Sequence, residues 1–179
     1  ARNAGLLDIK MLPERRNTVK LLILFDIGGS MDHHINTCQE LFSAVRSEFR
    51  HLEYFYFHNC VYEKLWKNND RRHVDTIKTW DILHTFPSDY KVVFVGDATM
   101  SPYEFIYPGG SVEHWNEESG KIWITRILQI YHKIIWLNPV PEKYWGATPT
   151  INEIKRTLSG RMYPLTLDGL DRGMRELSH

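Results

Sequence analysis

The sequence predicts an α/β fold: a doubly wound, mostly parallel six-stranded sheet with one antiparallel edge hairpin and helices on both faces. Three observations predict it. The run Lys20 to Phe25 is apolar after its lysine and closes on Asp26 before Gly28-Gly29-Ser30, the pattern of a doubly buried strand that delivers a carboxylate to the carboxyl edge of a sheet. Lys91 to Val95 repeats the design and closes on Gly96-Asp97. Strand-length apolar runs then alternate with helical patterns almost throughout, as right-handed parallel crossovers require.

The elements follow in order. Residues 1–18 are expected as a lead-in continuing from an absent upstream region, since Ala1-Arg2-Asn3 carries no initiator Met; within it Leu6 to Met11 reads as extended and 12–18 as a polar connection. The domain proper is expected over 19–179. After a first strand at about 19–26, Ser30 or Asp32 can cap a helix whose apolar positions Ile35, Cys38, Leu41, Phe42, Val45 and Phe49 keep helical spacing. Glu53 to Phe57 alternates as a strand, His58-Asn59 turns, and Val61 to Trp66 returns as a hairpin. Lys67 to Lys78 is charged and apolar-poor, so a surface loop is expected. Thr79 then reads as a helix cap, with Trp80, Leu83 and Phe86 inward and Pro87 as the stop.

The second Asp-terminated strand, 91–97, leads to Ser101-Pro102, where a capping hydroxyl precedes a proline at the first helical position. An irregular loop is expected over 108–119 and a helix over 120–132 with Ile122, Ile127, Leu128 and Tyr131 available for packing. A short buried strand at 134–137 stops at Asn138-Pro139. Thr150 or Asn152 opens a helix to Leu158, Met162 to Leu167 is a last strand, and Leu170 to Leu177 a last helix.

Bulk properties narrow the function. Lys plus Arg equals Asp plus Glu at 22 each, so net charge does not favour nucleic acid or an anionic membrane, and protein partners are expected. Apolar runs are strand-sized, no signal-peptide pattern opens the chain, and a cytoplasmic location is expected. Cys38 and Cys60 lack metal-ligand spacing and read as reduced thiols, one on a helix and one near a turn.

Two strands that each end in a carboxylate, with the Ser30 hydroxyl nearby, suit a hard divalent cation, which prefers oxygen ligands. Few directly bound carboxylates leave residual positive charge and a coordination position for an acidic side chain from elsewhere. Glu104 sits just past the second of these strands and either faces the site or stabilises its helix's amino end. His33-His34 are read as a solvent-exposed pair, and Trp115, among Glu113, His114, Glu117 and Glu118, as a packed loop tryptophan or part of a partner surface.

Apolar strand, Asp26-Ile27-Gly28-Gly29-Ser30-Met31, amphipathic helix, hairpin, Thr79 and a strand closing on Gly96-Asp97 together resemble the von Willebrand factor A (VWA) domain, a Rossmann-like fold, and within it the CoxE-like bacterial group. The resemblance spans about residues 19 to 177. It implies a metal-ion-dependent adhesion site in which Asp26 is the first carboxylate of an Asp-x-Ser-x-Ser turn, Ser30 its second serine, Asp97 the late Asp, and Thr79 the threonine, with Thr76 as the alternative. Gly28 departs from the pattern by removing a hydroxyl, which implies weaker Mg2+ (or Mn2+) binding. The implied function is metal-dependent protein–protein interaction without catalysis, and the implied partner a MoxR-type AAA+ ATPase in a chaperone-like complex for enzyme assembly or metal-cofactor maturation.

Two rival functions use the same pattern. A haloacid-dehalogenase-like phosphohydrolase also begins with a strand ending in Asp and has a later Gly-Asp, but it needs an Asp where Gly28 stands, and Ala98 to Pro102 supplies neither its lysine nor its further acid. A metal-free interaction scaffold of the same fold needs none of these groups.

Overall fold

In the computed structural model, which describes residues 19–46, 49, 51–69, 75–111 and 114–179, the run at the centre of the sequence is the central strand β1 (Lys20–Asp26). Its parallel neighbours are β2 (His51–Phe57) on one side and β5 (Lys91–Val95) on the other. With β3 (Lys64–Trp66), β4 (Thr76–Lys78), β6 (Ile134–Asn138) and β7 (Met162–Pro164) they form one sheet, seven-stranded among the described residues, in the order β4-β3-β2-β1-β5-β6-β7. β6 and β7 continue the parallel register, while β3 runs antiparallel to both β2 and β4.

Alternate residues of the central strands feed two apolar clusters. Leu22, Leu24, Val92, Phe94, Ile134 and Trp136 pack with α2 (Thr79–Thr85), α3 (Pro102–Ile106), α4 (Gly120–Ile130) and α5 (Pro149–Thr157), through side chains such as Ile82, Phe105, Ile124 and Ile154. Leu21, Ile23, Val93, Val95, Ile135 and Leu137 pack with α1 (Ile35–Arg46) and α6 (Leu167–Ser178), through Cys38, Leu41, Leu170, Met174 and Leu177. The period of two along each strand sends successive side chains to opposite faces, which is why the central runs are apolar without a break.

The sheet has one strand more than the six expected. The extra strand is β4, inside the segment read as a surface loop: Thr76-Ile77-Lys78 holds one apolar residue, too few to show a period, and Ile77 is placed by its partner Leu65. The hairpin is also displaced. β2 is a parallel neighbour of β1 and touches β3 at a single pair, Tyr56 with Trp66, while the regular antiparallel pairing joins β3 to β4. Val61 and Tyr62, expected in the returning strand, are buried but outside it.

Smaller differences have equally local causes. Gly29–His34 forms a 3-10 turn before α1, which ends at Arg46; Phe49 is buried beyond it. Trp80, expected inward, is 41% exposed. Thr79 opens α2 without a side-chain cap bond, so Thr79, Ile82 and Leu83 share its inner face, and Trp80 lies outside against Trp123 and the Arg126 guanidinium. Ile122 is likewise exposed. β5 ends at Val95 and β7 at Pro164, and α6 starts at Leu167, three residues early. The start of α3 is as expected: Ser101 Oγ accepts the Tyr103 amide at 3.3 Å with Pro102 following. Both cysteines are free and buried. The lead-in over 1–18, the Val45 side chain, His73 and Glu113 lie outside the described residues. No helix among the described residues is long and apolar enough to cross a membrane.

Candidate metal centre

β1 and β5 run side by side with Phe25 opposite Val95, so Asp26 and Gly96 are the next residues past that pair at the carboxyl edge. The contact there is close. A Cβ on Gly96 would lie 3.0 Å from Asp26 Cβ, 3.2 Å from Trp136 Cζ2 and 3.3 Å from Asp26 Oδ2. Glycine is therefore what lets the Asp26 carboxylate fold over the end of β5. Trp136 closes the site from β6, its Nε1 donating to the Gly96 carbonyl at 2.7 Å.

Asp97 follows directly. It is 4% exposed and Asp26 5%. Asp97 Oδ1 accepts the Thr99 amide at 3.0 Å across Ala98, whose φ of 56° is left-handed, and the Asp97 carbonyl accepts from Asn138 Nδ2 at 2.9 Å. Asn138, the last residue of β6, also accepts the Val140 amide at 2.8 Å through Oδ1. One side chain thus fixes the exits of both β5 and β6.

Ser30 lies in the exposed 3-10 turn that follows β1. The turn explains the residue before it: Gly28 has φ 83° and ψ 171°, a region essentially restricted to glycine. A serine at this position would be strained, so the missing hydroxyl and the backbone path are one feature.

Thr79 stands just past the carboxyl end of β4. Two antiparallel steps return β4 to the direction of β1, so Thr79 is on the same edge as Asp26 and Asp97. Laterally it is three strand spacings from β1, roughly 14 Å in a regular sheet. Its amide donates to the Glu63 carbonyl at 2.9 Å and its buried hydroxyl to the Tyr62 carbonyl. Thr76 is the first residue of β4, paired with Trp66, and is set back from that edge. The structure thus sets Asp26 and Asp97 at the exits of neighbouring strands, places Ser30 at the adjoining turn, and sets Thr79 further along the same edge.

Sequence reasoning left Asn59 outside the site and Glu104 between facing it and stabilising its own helix. Asn59, with a left-handed φ of 62°, donates its amide to Asp26 Oδ1 at 2.9 Å and its Nδ2 to Glu104 Oε2 at 2.7 Å. Glu104 is buried, and its carbonyl accepts the Tyr62 hydroxyl at 2.8 Å. Glu104 therefore reaches toward the site through Asn59. Two buried carboxylates joined by one asparagine form the polar centre of this edge, and Cys60 beside them has its thiol pushed up, by burial first and by Asp26 and Glu104 after it. An asparagine in a turn after a strand was the available signal, but its tertiary partners are 33 and 45 residues away in sequence.

Among the described residues no group of three or more His, Cys, Asp or Glu side chains is placed to hold a metal ion. The chemistry available is that of two carboxylates with hydroxyls, a donor set for a hard, partly hydrated cation. His33 is exposed and His34 half-buried. Trp115 is 80% exposed, with its ring laid on the backbone of Gly109. Comparison of the chain with protein-family models, curated proteins and solved structures found no match.

Proposed function

We propose that this chain is a metal-dependent protein–protein interaction module of the VWA type and not an enzyme. Mg2+ or Mn2+ is held by Asp26 and Asp97 with Ser30 and water, Thr79 standing too far along the edge to reach the same ion, and an acidic side chain of the partner completes the coordination. One observation carries the reading: two buried carboxylates, Asp26 at the end of β1 and Asp97 just past the end of its parallel neighbour β5, share one edge, and Asn59 engages Oδ1 of Asp26 while Oδ2 is turned over Gly96. The resemblance to the CoxE-like group extends it to a cytoplasmic complex with a MoxR-type AAA+ ATPase that assembles enzymes or matures their metal cofactors. The phosphohydrolase alternative gains nothing from Gly28, whose backbone conformation excludes the Asp that such an enzyme requires there.

The same glycine favours a second reading, a metal-free scaffold of this fold, because no hydroxyl can be offered from position 28. Calorimetric titration of EDTA-stripped protein with Mg2+ and Mn2+ separates the two. Asp97→Asn is the informative variant, since its Oδ1 still accepts the Thr99 amide and the turn survives. Saturable binding in the wild type that is lost in Asp97→Asn and Asp26→Asn is the expected result. Equal binding by Asp97→Asn would remove Asp97 from the site, and no binding by the wild type would leave the scaffold.

A further inference from the structure

Between β5 and α4 the chain folds back on itself and turns aromatic rings outward. α3 runs for only five residues before Tyr107 and Pro108 leave it. Two glycines then keep the return path close. A Cβ on Gly110 would meet the Tyr103 carbonyl at 2.7 Å and the Glu104 amide nitrogen at 2.9 Å, and one on Gly109, where φ is 69°, would meet the Trp115 ring at 2.5–2.9 Å. The Gly109 amide also donates to the Asn116 carbonyl at 2.8 Å, which fastens Trp115 beside the end of α3. Its neighbour His114 turns inward against the rings of Tyr62 and Trp66, so Trp115 is left facing out.

These rings keep open faces. Tyr103 and Tyr107, one helical turn apart, stack with centroids 5.6 Å and planes 26° apart. Each covers one face of the other, so their exposures of 69% and 55% come from the outer faces and edges. Trp115 meets Gly109 on one side and solvent on the other. Two other exposed rings already have a cation from the chain itself: Trp80 lies under the Arg126 guanidinium at 5.2 Å and Tyr144 under the Lys143 ammonium at 4.8 Å. Among the described residues no cation lies over Tyr103, Tyr107 or Trp115.

Local charge has one sign. From Val92 to Gly120 the sequence holds Asp97, Glu104, Glu113, Glu117 and Glu118 and no lysine or arginine, in a chain whose charges balance overall. Glu104 is buried and Glu118 is paired with Arg126. Glu117 is exposed, one residue past the Asn116 that holds Gly109, and makes no ion pair among the described residues. Aromatic faces of negative potential beside an exposed carboxylate complement a cation, and a planar guanidinium stacks on such rings where a compact ammonium only points at them. A phosphate backbone or an acidic surface would meet only like charge. Tyrosine and tryptophan are also the side chains that concentrate binding energy at protein interfaces. We propose that this surface docks an arginine-bearing segment of a protein partner, its guanidinium groups laid on the Tyr103–Tyr107 pair and on Trp115 and paired with Glu117. The surface uses none of the candidate metal ligands and does not depend on the ion.

The test is calorimetric titration of the full chain in EDTA with an acetylated, amidated peptide of alternating glycine and arginine, and with its citrulline counterpart, which keeps the shape of arginine and loses the charge. Saturable binding of the arginine peptide is expected, with the citrulline peptide weaker by about fivefold or more. Tyr103→Leu combined with Tyr107→Leu, at exposed positions where the fold is not at risk, is expected to weaken binding by a similar factor, while the paired phenylalanine substitutions retain it. Tyr144→Leu, whose ring already lies under Lys143, should bind as the wild type does. No saturable binding of the arginine peptide, equal binding of the citrulline peptide, or undiminished binding by the double leucine variant would each overturn the proposal. Self-association of the chain that the double leucine variant abolishes, in the absence of peptide binding, would give the surface to a second copy and overturn it as well.

Discussion

β6 and β2 stand symmetrically about the β1–β5 pair, each one strand out from it, and both are rich in aromatic and branched residues. They live in opposite environments. Every residue of β6 is buried, with α4 and α5 on one face and α6 on the other. In β2 only Phe57 is fully buried, and Tyr54 is 41% exposed. In β6 Trp136 stacks on Phe94 with centroids 5.2 Å apart and donates its indole N–H to the Gly96 carbonyl. In β2 the tyrosines meet other rings across a cleft that no described element fills. Aromatic side chains in one sheet thus serve stability on one flank and present a surface on the other, and the number of faces covered by helices decides which.

The contrast breaks if the two flanks respond alike to truncation. Trp136→Ala removes a fully buried ring together with its hydrogen bond and is expected to cost about 3–5 kcal/mol in chemical denaturation. Tyr54→Ala is expected to cost about 1 kcal/mol or less, because the side chain already meets solvent. A cost for Tyr54→Ala close to that of Trp136→Ala would mean that β2 is as integral to the core as β6.

Gly96→Ala sharpens the comparison at the point where stability and the candidate site meet. The added methyl would press on Asp26 Cβ and the Trp136 ring at 3.0–3.2 Å, and overpacking of this kind costs about 1–3 kcal/mol. The variant should remain folded, with a lower denaturation midpoint, and lose metal affinity because the Asp26 carboxylate must swing away. A destabilised variant with unchanged metal binding would separate Asp26 from the ion.

Most of the well-covered flank was legible in the sequence. β1, β5 and β6 are unbroken apolar runs, long enough to name a strand unaided, and Ser101-Pro102 announces α3 through local chemistry alone. The open flank was harder to read. The alternation at Glu53 to Phe57 signals a strand with one wet face, which fits an antiparallel hairpin as well as a parallel edge; the choice rests on β1, more than 25 residues upstream. β4 is three residues long and pairs by position, with no pattern of its own. At the site, Asp26 and Asp97 were visible because each closes an apolar run, whereas Asn59 was not, because its role lies in contacts to residues remote in sequence.

The smallest expected effect tests how far the cleft opens beneath α1. Cys38 lines it, while Cys60 is closed over by Gly120, where an added Cβ would lie only 2.4 Å from the sulfur. Burial pushes the Cys38 thiol up to about 11, against a weaker lowering by a backbone hydrogen bond. At pH 8 that leaves about one thiol in a thousand as the reactive thiolate, against about a quarter for a free cysteine. A disulfide reagent added to the native protein at pH 8 should therefore find both cysteines nearly silent and release two equivalents only after unfolding. Raising the pH toward 11 should speed Cys38 and leave Cys60 unreactive, since one sulfur borders a cleft and the other does not. Equal reaction of the two thiols at high pH would show that global opening, and not the cleft, gives access, and the flanks would then differ in packing without differing in entry.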